Sequence, residues 1–146
     1  MADPAALTNA ITSIVKDKGF SLGIAWTPKG DTLVSTDTPF YASDAKAGAF
    51  KKKSEEFKFP KGKGMPGRIW ANKKGEVKDD VQTFTPEQYP RVAVAKEGGL
   101  KGCYGFPICM KSGEPAYIIE FFSPKPATED AGLIKQIQDT LAKTCK

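Results

Sequence analysis

Gly62, Gly64 and Gly67, within the stretch FKFPKGKGMPGRIWANKKG over residues 57 to 75, spell G-x-G-x-x-G, and Asp79 and Asp80 follow near the distance of an acidic ribose partner. Glycines so spaced let a backbone approach a pyrophosphate at a helix N-terminus, which is the chemistry of dinucleotide binding. That chemistry also needs a buried apolar strand just before the first glycine and a helix opening at the third. The residues here are KKKSEEFKFPK, charged and closed by Pro60, and Lys73, Lys74 and Gly75 stop any helical turn begun at Arg68-Ile-Trp. A Walker-type phosphate loop requires Lys-Ser/Thr after the last glycine, where this chain has Arg68-Ile69. Neither nucleotide reading fits the context.

Cys103, Cys109 and Cys145 are the other side chains with reactive potential. C-x5-C is not a zinc spacing, and the chain contains no histidine, so no metal is expected. Ser-His-Asp and Cys-His catalysis are excluded for the same reason. Free thiols in a reducing compartment are the expectation. Cys103 and Cys109 share parity on one predicted strand, which should point both to one face; redox chemistry there is the enzymatic alternative.

The net charge of +5 is concentrated, because Lys46 to Lys74 holds nine lysines and Arg68 against only Glu55 and Glu56. Phe50, Phe57 and Phe59 interleave with these lysines, a pattern compatible with single-strand stacking. No recognised nucleic-acid motif accompanies it, so a solvated face is expected and nucleic acid is not the expected partner. A chain of 146 residues forms one domain able to bury a core without disulfide or metal. No apolar run approaches the ~20 residues of a membrane span. The N-terminus lacks the features of a signal peptide. A cytoplasmic protein with no membrane association is expected, and its ends resemble those of a whole small protein.

The elements that must position any site follow from pattern. Asp3-Pro4 and the spacing of Leu7, Ile11, Ile14 and Val15 predict a helix over about 4 to 17, stopped by Gly19. FSLGIAWTPKGDTLVSTDTPFY predicts a hairpin about a Pro-Lys-Gly-Asp turn. A short helix from Asp44 to Lys53, capped by Ser43, comes next, and residues 54 to 75 read as a long irregular segment. Thr85 to Gln88 has capping-box spacing, but Pro90 forces the helix to begin there and run through RVAVAKE to Gly98-Gly99. GCYGFPICMK and PAYIIEFFSPK are strands joined by a Ser-Gly-Glu turn. Thr128 opens a last helix with the stripe Leu133, Ile134, Ile137 and Leu141, and Lys143 and Lys146 suit its C-terminal end. This order is α+β with an antiparallel sheet, the terminal helices together on one face.

FxFPKGKGMPGRIWANKKGEVKDD, FTPEQYPRVAVAKEGGLKGCYGFPI and AYIIEFFSPKPATED, with IAWTPKGDTLVSTDTPFYASDAKAGAF upstream, resemble a GAF domain over roughly residues 20 to 143. The resemblance implies a six-stranded antiparallel sheet, with helices on one side and loops plus a short helix forming a small-molecule pocket on the other. The glycine stretch becomes a loop crossing the sheet, with Met65 and Trp70 packed inward. GAF relatives that hold linear tetrapyrroles use a Cys beside a His, and this chain has none. Those that reduce free methionine sulfoxide carry cysteines where this chain has Met65 and its non-thiol neighbours.

The implied function is a small-molecule-binding sensory or regulatory domain that is not an enzyme. The alternatives are a small Cys-dependent redox enzyme, or a partner-binding module without ligand. Ligand-binding candidates are Tyr41, Phe50, Trp70, Arg91, Tyr104, Phe106 and Tyr117, since aromatic walls supply apolar area while Tyr hydroxyls and an Arg fork orient a polar ligand. No cofactor or ligand identity follows from the residues. A homodimer through the terminal helices is the macromolecular partnership the family suggests.

Overall fold

A computed structural model of the chain describes residues 3–145. Helix α1 (Pro4–Lys18) opens as its sequence dictates: Asp3 accepts from the Ala5 N–H, Pro4 sits in the first turn, and Gly19 closes the helix in the left-handed region. Strands β1 (Leu22–Lys29) and β2 (Thr32–Ala42) form the expected hairpin. Helix α2 (Ala45–Ser54) follows, but its cap is Asp44, which accepts from the Ala47 N–H. Ser43, the expected cap, instead donates to the Ser21 carbonyl.

The largest departure is the segment expected to be irregular. It contains the short strand β3 (Phe59–Pro60) and a nine-residue helix, α3 (Gly64–Asn72). Lys73 does stop this helix, in a left-handed conformation with φ 58°, but only after two turns have formed. Pattern reading missed α3 because its interior holds Pro66 and Gly67, which weaken helix propensity, while its face of Met65, Ile69 and Trp70 is buried and supplies the stabilisation.

Strand β4 (Glu76–Lys78) follows, and Asp80 then accepts from the Gln82 N–H to open a single 3-10 turn. The pair Asp79 and Asp80 therefore ends a strand. Thr85 and Gln88 do exchange capping-box bonds, Gln88 N–H to Thr85 Oγ1 at 3.3 Å and Thr85 N–H to Gln88 Oε1 at 3.0 Å. No regular helix grows from them; α4 spans Val92–Glu97. Strands β5 (Gly102–Lys111) and β6 (Glu114–Ser123) pair antiparallel, and α5 (Ala131–Ala142) is capped by Asp130, not Thr128. Lys143 lies just past α5, and Lys146 lies outside the described residues.

The six strands form one antiparallel sheet in the order β3-β2-β1-β6-β5-β4, which is the α+β arrangement expected. Alternation divides its side chains between two cores. One face sets Ala25, Tyr104, Phe106, Ile119 and Phe121 against α1 and α5. The other sets Leu22, Ile24, Trp26, Leu33, Ile118 and Phe122 against α2, α3 and α4. Ile137 and Leu141 of α5 are buried against the first face, whereas Leu133 and Ile134 stay half-buried. No described helix is long and apolar enough to cross a membrane.

The glycines of the opening stretch have separate steric duties. Gly64 sits at φ 66°, and a Cβ there would meet the Phe59 ring at 2.6 Å. A Cβ on Gly67 would press on the backbone carbonyl of Pro60, which cannot swing aside as a side chain can. Gly67 also accepts from the Gly62 N–H at 2.8 Å, closing the turn that leads into α3. Gly67→Ala is therefore expected to destabilise the domain by about 1–3 kcal/mol, the range for overpacking. Urea denaturation with an unchanged slope would register it as a lower midpoint.

Candidate functional site

The sheet face beneath α2, α3 and α4 carries one charged group from a strand interior. Glu120 of β6 lies opposite Ile24 on one side and Gly105 on the other, and it is completely buried. Both of its oxygens are engaged. Trp26 donates its indole N–H to Oε1 at 2.8 Å, and Arg91 donates Nη2–H to Oε2 at 2.9 Å.

Arg91, the residue preceding α4, is as buried as its partner. Its guanidinium carbon stands 4.7 Å from the Tyr89 ring centroid, 5.1 Å from Trp26, 5.2 Å from Phe59, and 5.7 Å from Phe50 and Phe122. Five aromatic rings from β1, α2, β3, the segment before α4, and β6 thus surround one cation, an arrangement favoured by the negative ring faces. Burial opposes the charge on Arg91, but Glu120, followed by Tyr89, more than offsets it, so the guanidinium is held above its ordinary value. It is therefore a permanent cation in an apolar shell.

The pairing is incomplete. Arg91 Nε and Nη1 have no hydrogen-bond partner among the described residues, nor does the Tyr89 hydroxyl. A buried unpaired donor costs about 1–3 kcal/mol, more when charged. Burial pushes the Tyr89 phenol well above its usual value, which keeps its O–H intact as a donor.

α3 closes this side of the sheet. A Cβ on Gly105 would stand 2.5 Å from Ile69 Cδ1 and 3.2 Å from Met65 Cε, so the helix rests on β5 beside Glu120. Arg68, the arginine of the glycine motif, has a structural duty. It grips Glu76 with Nε at 3.2 Å and Nη2 at 3.1 Å, and donates Nη1–H to the Gln88 carbonyl at 2.6 Å.

Of the seven expected ligand residues, the structure brings three to this side: Phe50 and Arg91 in the cage, and Trp70 farther along α3. Tyr41, Tyr104, Phe106 and Tyr117 belong to the opposite face, packed with the terminal helices. Tyr104, for example, exchanges hydrogen bonds at 3.2 Å with the backbone of Thr128. Glu120, Trp26, Phe59, Tyr89 and Phe122 were not anticipated. The available signal was Glu120 itself, a charge inside AYIIEFFS that a strand buried on both faces cannot hold unpaired.

The cysteines depart from expectation twice. Cys109 and Cys145 form a disulfide, so they are not free thiols. Cys109 adopts a left-handed backbone, φ 55°, which takes its side chain off the strand alternation toward the α5 end, away from the face that Cys103 shares with Trp26. Cys103 is free and buried, and burial pushes its thiol well above the ordinary value, so the nucleophilic thiolate is disfavoured. Among the described residues no three His, Cys, Asp or Glu side chains are grouped to hold a metal ion.

Comparison with known proteins agrees with this architecture. The profile of the NLP protein GAF domain matches residues 5–146. Protein NLP3 of Oryza sativa subsp. japonica is 31% identical over 121 residues, a match covering 80% of this chain and 13% of that protein. The chain thus spans about an eighth of that relative's length. Among solved structures, free methionine-R-sulfoxide reductase from Neisseria meningitidis superposes with a TM-score of 0.64 at 19% identity, covering 94% of this chain and 77% of that one. The NreA protein of Staphylococcus aureus, described as mutated in its nitrate-binding site, superposes with a TM-score of 0.66 at 14% identity, covering 92% and 94%. At such identities the two structures speak for the fold alone. With the family profile extending over nearly the whole described chain and the six-stranded sheet in place, the protein belongs to the NLP protein GAF domain family.

Proposed function

We propose that this domain is a non-enzymatic regulatory module that binds a small, acceptor-rich ligand of at most one negative charge through Arg91. The observation that carries the reading is the buried guanidinium with Nε and Nη1 unpaired beside an unpaired Tyr89 hydroxyl. Glu120 already balances the cation, so a singly charged oxyanion or a neutral carbonyl compound suits the site better than a phosphate dianion. Aromatic walls exclude water and strengthen each hydrogen bond made inside them. The non-enzymatic part is supported by the sequestered thiols, with Cys103 buried and Cys109 bonded to Cys145, and by the absence of histidine from the chain.

Nitrate is a suitable first probe, being planar, singly charged and the ligand named for NreA. Thermal unfolding in sodium nitrate against sodium chloride at equal ionic strength is the test. At a hundredfold excess over the dissociation constant, nitrate should stabilise the fold by about 2.7 kcal/mol. Arg91→Lys keeps the charge but loses the planar donor set, and should abolish the difference. Tyr89→Phe keeps the ring and should weaken it. Failure of nitrate, formate and acetate alike to raise the wild-type midpoint would overturn the reading.

A further inference from the structure

A second site lies at one end of the sheet, distinct from the Arg91 cage. The β1–β2 turn, the start of β6 and α3 enclose a groove of about 420 Å³ lined by Pro28, Gly30, Asp31, Lys61, Trp70 and Glu114. Trp70 is its inner wall and is only 5% exposed. Its indole N–H lies toward the Glu114 carboxylate without closing a hydrogen bond, and is a buried donor with no partner among the described residues.

Charges of both signs rim this wall. Lys61 Nζ stands 5.0 Å from the centroid of the Trp70 ring and 3.1 Å from Glu114 Oε1. Lys73 approaches Glu114 Oε2 from the other side at 3.8 Å. The Lys61 hydrogen bond, with Lys73 and the nearby Trp70 indole N–H adding to it, holds the Glu114 carboxyl below its ordinary value, so the carboxylate remains charged in mildly acidic solution. Asp31 faces the same groove from the hairpin turn, is exposed, and has no ion-pair partner among the described residues.

We infer that this groove binds a free α-amino acid with an apolar side chain. The unpaired Trp70 N–H and the Lys61 ammonium together suit a carboxylate. The unpartnered Asp31 carboxylate, with Glu114 beside it, suits an ammonium. Pro28 and the indole offer an apolar surface between the two. A lone anion would leave Asp31 unmatched and close to it, and a lone amine would leave the buried N–H unpaired. A ligand that carries both charges on one carbon answers the Trp70 N–H and the Asp31 carboxylate together. No residue of the Arg91 cage lines the groove, so this inference stands apart from the anion reading.

Trp26 and Trp70 are the two tryptophans of the chain, so an isotope-labelled sample gives two indole N–H signals, assignable by through-bond correlation. L-leucine, 4-methylpentanoate and 3-methylbutylamine are the probes, the last two being leucine without its amine and without its carboxylate. Leucine should move the Trp70 indole signal saturably, with a dissociation constant of about 1 mM or tighter, and leave the Trp26 signal in place. Each half-ligand should bind about tenfold more weakly or worse, and Asp31→Asn should weaken leucine by about tenfold, as expected for losing one charged hydrogen bond. Asp31 is an exposed turn residue, so that variant leaves the core untouched. No saturable shift with leucine, equal binding by either half-ligand, or undiminished affinity in Asp31→Asn would overturn the assignment.

Discussion

Glu120→Ala should lose about 3–5 kcal/mol of stability, the cost of leaving a buried charge without its partner. Glu120 Oε1 accepts from Trp26 and Oε2 from Arg91, and every group involved is completely buried. Removing the carboxylate strands a guanidinium that already has two unpaired nitrogens, and it orphans the indole N–H as well. A permanent cation cannot escape by releasing its proton. The double variant Arg91→Met with Glu120→Leu removes both charges and should recover the part of the loss due to the stranded cation, because an apolar pair of similar volume avoids the desolvation penalty, while the Trp26 N–H stays unpaired. Equilibrium denaturation of the two variants separates the cases. A loss below about 1 kcal/mol for Glu120→Ala would place the pair in the range of solvent-screened ion pairs and contradict its burial.

That pair also marks the limit of what the chain discloses before folding. The strands β1, β2, β5 and β6, the helix α1 and the family resemblance were all legible, because alternation, capping and turn residues are local signals. The assignment of faces was not. Both faces of this sheet are covered, so a run such as GCYGF is buried continuously and its apolar pattern does not say which side meets α3. Tyr104 and Phe106 consequently read as pocket residues as readily as Phe50 did, although they lie under the terminal helices. Cys109 was misplaced for a different reason: parity assumes an extended backbone, and its left-handed φ of 55° breaks that assumption at a single residue.

The glycine stretch shows how a motif can be real and its usual meaning absent. A helix does open there, at Gly64, but the residues before it form a two-residue strand at the sheet edge. The G-x-G-x-x-G spacing here serves packing: Gly64 leaves room for Phe59 and Gly67 leaves room for the Pro60 carbonyl. Phe59 is thus the point where the motif and the candidate site meet.

Phe59→Ala should therefore be among the costliest single truncations in the domain, at about 3–5 kcal/mol. The ring is 2% exposed, lies 5.0 Å from Trp26 in an edge-on contact and 5.2 Å from the guanidinium carbon of Arg91. Its loss opens a cavity and removes one wall of the cage in the same step. Phe59→Leu keeps most of the volume and should cost less than about 1.5 kcal/mol. Phe57→Ala is the comparison, since its ring stacks on Phe59 at 6.2 Å but is only half-buried, and about 1 kcal/mol is the scale of such a pair. Equal losses for Phe57→Ala and Phe59→Ala would show that Phe59 does not anchor the cage. Gly64→Ala completes the argument, because its new Cβ conflicts both with the left-handed backbone and with the Phe59 ring. Only the second conflict disappears when Phe59 is already alanine, so the double variant should be more stable than the sum of the single losses by about 0.5–3 kcal/mol. Strict additivity would mean that the glycine is required by its backbone angle alone, and that the motif and the cage are independent.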